Sequence, residues 1–154
     1  MDSREVIGKA IRWGMYRLKP TEKLNLLFVG EEQNYAVVRD HLTRLNSTLT
    51  LCAGESHVVP QLGKRIYHGC LVEVTFPDLS GLQIATAIRE AGPKNLPIIA
   101  LTEPLTMNFK ERILAGGANE CIVRPWDENA MRRALEYVLR FSDVNLRRRL
   151  HPRR

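Results

Sequence analysis

The chain predicts a three-layer α/β fold built around a parallel sheet, and three observations carry that expectation. Five short apolar runs alternate along the sequence with amphipathic stretches of helical spacing. The runs lack the in-out alternation of a half-exposed strand, as suits strands covered on both faces. At 154 residues, with 44% apolar and 26% charged, the chain is sized for one domain with a single core.

The elements follow in order. Residues 1–22 contain "SREVIGKAIRWGMYRLKP", with Ser3 as a cap, apolar residues at Val6, Ile7, Ala10, Ile11 and Met15, and Pro20 as a stop. This is an amphipathic connector helix whose anchors are Trp13, Met15 and Tyr16. Such a helix is marginal alone in water, so its stripe is expected to bury against the domain or to mediate dimerisation. Its segment 7–17 aligns without gaps on residues 131–141, which fits a tail from a preceding domain of the same kind.

Strand one is read at "LNLLFV" (24–29) and followed by a helix over 35–45. Strand two, "LTLCA" (49–53), leads to a weaker helical pattern over 56–66 that Pro60 interrupts. Strand three is "CLVEV" (70–74), and the helix over 81–92 ends where Gly92 and Pro93 stop it. Strand four, "LPIIAL" (96–101), precedes a helix over 108–117, and strand five is "ECIV" (120–123). Asp127 caps the last helix, over 127–141, whose apolar stripe is Met131, Ala134, Leu135 and Val138. Residues 142–154 form a basic tail or helix extension.

Parallel sheets of this kind carry their sites beyond the carboxyl ends of the strands. Function is therefore expected just after Val29, Val74, Leu101 and Val123. Those places read "GEE", "TFPDLSG", "TEP" and "RPW". Glu73 stands out, because a carboxylate at the end of an apolar run is costly without a compensating partner.

Read together, "LLFVGEE", "LVEVTFPDLSG", "PIIALTE" and "AGGANECIVRPW" resemble the receiver domains of bacterial two-component response regulators over about residues 24–140. The resemblance implies a doubly wound, flavodoxin-like (βα)5 domain over 23–141 with sheet order 2-1-3-4-5. It implies phosphoryl transfer to a strand-three aspartate, assisted by a divalent metal on that aspartate and two strand-one acids. A strand-five lysine and a strand-four threonine then meet the phosphoryl group.

This sequence departs from that pattern. Glu73 holds the acceptor position, and the acidic pair falls on Gly30 and Glu31, so one carboxylate is missing while Glu32 lies one place further on. Lysine is replaced by Arg124, and Cys121 occupies the aromatic switch position; only Thr102 is unchanged. Glutamate carries its charge one methylene further out, a crude mimic of the phosphorylated state. Arginine offers a planar fork to a carboxylate, so a Glu73–Arg124 pair is expected across the strand ends. Magnesium is not expected, Glu31, Glu32 and Glu73 being its weak candidates.

The resulting expectation is a degenerate, phosphorylation-independent receiver that is not an enzyme. It would act through protein contacts: with itself as a dimer, with a histidine kinase, or with an output domain in a longer protein. Arg132, Arg133, Glu136 and Arg140 on the last helix are the interface candidates. One alternative is an active phospho-receiver with altered acids; another is a binding module for nucleic acid or acidic partners.

That last alternative rests on the tail. From residue 142 onward five arginines stand against one acid, which accounts for +4 of the net +6. Three widely spaced cysteines and four histidines without metal-ligand spacing argue against a disulfide framework or zinc. No apolar run is long enough to span a membrane, and the expected location is the cytoplasm.

Overall fold

The computed structural model describes residues 23–52 and 54–142. Along the chain run β1 (Asn25–Val29), α1 (Glu32–Arg44), β2 (Thr48–Leu51), a short 3-10 turn (Glu55–His57) and α2 (Val58–Lys64). Then come β3 (Gly69–Glu73), α3 (Leu82–Ala91), β4 (Ile98–Thr102), α4 (Met107–Ala115), β5 (Glu120–Val123) and α5 (Glu128–Phe141). The five strands form one parallel sheet of order β2-β1-β3-β4-β5. The doubly wound (βα)5 expectation is met.

Alternation along the strands explains the continuous apolar runs. Leu26 and Phe28 of β1, with Leu71, Ile99, Leu101 and Ile122, face one way and meet α1 and α5. Leu27 and Val29, with Cys70, Val72, Ile98 and Ala100, face the other way and meet α2, α3 and α4. The central strands β1, β3 and β4 thus need apolar residues on both faces. Burying one such side chain contributes about 1.5–3 kcal/mol.

The expected stripe of α5 is borne out: Met131, Ala134, Leu135 and Val138 are all buried. Asp127 caps that helix by accepting from the Ala130 N–H at 2.9 Å, and α3 ends before Gly92 as expected. Pro60 is a correction. It sits in the first turn of α2, where a missing N–H leaves no intrahelical bond unmade, so it starts the helix instead of breaking it.

The connector helix over 1–22, with Trp13, Met15 and Tyr16, and the tail beyond residue 142 lie outside the described residues.

Candidate functional site

Glu73 is the last residue of β3 and half-buried. One oxygen, Oε1, accepts from the Glu31 N–H at 3.1 Å. The side-chain amide of Asn34, in the first turn of α1, donates to Oε1 at 3.0 Å and to Oε2 at 3.1 Å. The cost of the charge is met by neutral donors.

Gly30 makes this arrangement possible. A Cβ there would lie 2.6 Å from Glu73 Oε1 and 2.8 Å from Glu73 Cβ, closer than real contacts allow. The missing strand-one carboxylate and the longer acceptor-position side chain are therefore one steric event. Glu31 heads α1, and its Oε2 accepts from Gln33 Nε2 at 2.6 Å; Glu32 is exposed in the first turn.

The loop after β3 is tied back on the strand. Thr75 and Ser80 form an antiparallel bridge, and Asp78 accepts from the Ser80 N–H at 3.3 Å and hydroxyl at 3.1 Å. The aspartate of "TFPDLSG" is thus spent on its own turn. Gly81 has φ +103°, and a Cβ there would sit 2.2 Å from the Glu73 carbonyl oxygen; no other residue fits. Beside this loop a cavity of about 320 Å³ is lined by Gly30, Glu31, Glu55, Glu73, Thr75 and Ser80, among others.

The expected Glu73–Arg124 ion pair is not formed. Strand β4 separates β3 from β5, and a nearer acid takes the guanidinium: Arg124 Nε donates to Glu103 Oε1. Arg124 Nη2 also donates to Asn34 Oδ1 at 3.4 Å, a long bond. The guanidinium carbon lies 3.8 Å from the ring centroid of Trp126, a cation–π stack. Trp126 itself is buried and donates from Nε1 to the Thr102 carbonyl at 3.2 Å.

Thr102 ends β4 fully buried, and its hydroxyl has no hydrogen-bond partner among the described residues. Cys121 is half-buried on β5 and packs against the α2–α3–α4 side of the core. Burial, reinforced by Glu120, pushes its thiol up to about 11. Cys52, Cys70 and Cys121 are all free thiols.

On α5, Arg133 and Arg140 are exposed and Glu136 is half-buried. Arg132 is committed within its own helix, to Glu128 at 2.8 Å and Asn129 at 2.8 Å. That removes it as a free interface charge. Asn34 and Glu103 are the residues that sequence reasoning missed. Both carry a signal in hindsight: an Asn in the first turn after an acidic strand end, and an acid directly after the strand-four threonine.

Among the described residues, no three His, Cys, Asp or Glu side chains group closely enough to hold a metal ion. None of the described helices is long and apolar enough to cross a membrane.

Residues 30–136 match the family model described as response regulator receiver domain. The regulatory protein LuxO of Vibrio cholerae is 21% identical over 68% of this chain and 23% of its own length. The sensor histidine kinase CheAY of Helicobacter pylori is 27% identical over 70% of the chain and 14% of its own. The chain thus spans under a quarter of these curated relatives. Among solved structures, the receiver domain of a sensor histidine kinase from Pseudomonas aeruginosa PAO1, with magnesium coordinated in its active-site cleft, superposes with TM-score 0.64. It is 26% identical, covering 77% of this chain and 98% of that one. The match of profile, sheet order and strand-end site means that this chain belongs to the response regulator receiver domain family.

Proposed function

We propose that this receiver is a phosphorylation-independent signalling module that works by protein contact, with Glu73 as a permanent carboxylate at the acceptor position. The observation that carries the reading is the pair of Glu73 oxygens satisfied by Asn34 and the Glu31 N–H. A carboxylate held this way is a fixed charge. A phospho-acceptor must instead be free to bind metal and attack phosphorus in line.

The residues do not suit magnesium. Position 30 offers no oxygen, both Glu73 oxygens accept from Asn34, and one Glu31 oxygen accepts from Gln33. Magnesium needs close oxygens in near-octahedral geometry. The P. aeruginosa receiver coordinates magnesium in its cleft; this chain lacks the matching acid.

Contact would be made through α4, β5 and α5. Met107 is 69% exposed and Val123 38% exposed there, and α5 exposes Arg133 and Arg140. Exposed apolar side chains on a face that also carries charge suit a protein partner, a second copy or an output domain. Residues 1–22, with Trp13, Met15 and Tyr16, would extend such contacts.

The experiment is treatment of the full chain with acetyl phosphate and magnesium, read on a phosphate-affinity gel beside an active receiver. Absence of a shifted band, with no magnesium-induced change in Trp126 fluorescence, is expected. A shifted band that Glu73→Ala abolishes would overturn the reading.

A further inference from the structure

We infer that Asn34 is a positioning residue that couples Glu73 to Arg124 and Trp126, making both halves of the sheet's carboxyl edge one unit. The inference rests on the reading of Glu73 as a fixed carboxylate and adds how its state is transmitted. Glu73 on β3 and Arg124 just after β5 do not pair, because β4 lies between and Glu103 takes the guanidinium. Asn34 reaches across from α1. Its Nδ2 donates to Glu73 at 3.0 and 3.1 Å, and its Oδ1 accepts from Arg124 Nη2 at 3.4 Å.

Chemistry fixes which way the amide points. An ionised carboxylate only accepts and a guanidinium only donates, so the Asn34 NH2 must face Glu73 and its oxygen must face Arg124. A residue of either charge would fail at one end. Aspartate would repel Glu73, and lysine would compete with Arg124. The helix start sets the position: the Asn34 N–H donates to the Glu31 carbonyl at 3.1 Å, and the Glu31 N–H in turn holds Glu73.

The line continues beyond Arg124. Its guanidinium stacks on Trp126, whose indole N–H holds the carbonyl of buried Thr102. A change at Glu73 that turns the amide weakens the Arg124 contact, and Trp126 feels the altered charge over its ring. The indole is a natural reporter.

The test uses the full chain labelled with 15N, with the Trp126 indole resonance assigned through Trp126→Phe. Glu73→Gln is expected to shift that resonance by more than its linewidth. Asn34→Ala removes both the donor to Glu73 and the acceptor for Arg124; on that background, Glu73→Gln is expected to move the indole no further. Asn34→Leu, close in size and without a donor or acceptor, serves the same purpose if Asn34→Ala fails to fold. An indole unmoved by Glu73→Gln in the parent, or moved equally with and without Asn34, overturns the coupling. The gel readout is independent of it: a phosphorylated band with the coupling intact defeats only the phosphorylation-independent reading, and no band with the coupling absent defeats only the role of Asn34.

Discussion

Arg89 near one end of the sheet and Glu73 at the other are half-buried charges without an ion-pair partner among the described residues, and they solve the problem differently. Near the amino end, Arg89 of α3 donates to the carbonyls of Gly117 at 2.9 Å and Leu96 at 2.7 Å and to Asn119 Oδ1 at 2.8 Å. At the carboxyl end, Glu73 takes its bonds from one side-chain amide and one helix-start N–H. The backbone partners of Arg89 belong to the loops before β4 and β5, so that charge staples the fold. Glu73 depends on a side chain that can turn and on the space left by Gly30. The first is an arrangement for rigidity, and the second can carry a state.

The contrast is broken most severely by Arg89→Met. Three loop acceptors then lose a charged donor, and we expect a loss of about 3 kcal/mol in urea unfolding. A loss under about 1 kcal/mol, typical of a surface substitution, would remove the distinction between the two ends. Next in size is Gly30→Ala. Where backbone geometry permits, replacing glycine by alanine usually stabilises; here the added Cβ runs into Glu73, and a loss of about 1–3 kcal/mol is expected. An increase in stability would mean that Glu73 is not held against that backbone.

A smaller effect belongs to pH. His68, buried just before β3, accepts from the Asn25 N–H through Nδ1 at 2.7 Å, and burial lowers its pKa from 6.5. The unfolded chain then takes up the proton first as pH falls. Stability from the neutral ring is complete above pH 6.5, is lost as pH drops below it and is exhausted once the folded-state ring protonates. The urea midpoint should therefore fall between pH 7.5 and pH 5.5 by more in the parent than in His68→Gln. An equal fall in both would assign the effect to other groups. Smallest of all is Glu73→Gln, which keeps one acceptor oxygen in place. We expect less than about 1 kcal/mol of change together with altered partner binding, the pairing that separates a signalling position from a staple.

Much of the fold was legible because the apolar runs report burial on both faces, and those of β1 and β5 closely bracket the strands observed. The strand ends that carry the site could be located for the same reason. Which side chains meet there was less legible. Glu73 and Arg124 are complementary in charge, yet charge says nothing about β4 lying between them or Glu103 lying nearer. Asn34, uncharged and just ahead of the helix read over 35–45, carried only a weak positional signal; the observed helix starts at Glu32 and puts it in the first turn. Pro60 was misread because a proline's meaning depends on its distance from the helix start, which the sequence leaves uncertain by a residue or two.

The glycine before α1 also bears on mutational paths. Gly30 and Glu73 are epistatic by contact. Gly30→Asp made first meets both the 2.6 Å and the 2.8 Å contacts, whereas shortening residue 73 first removes the former and leaves only the latter to be absorbed. The family's acidic arrangement is reached more readily from this sequence in one order than the other, so a reversal experiment should begin at β3.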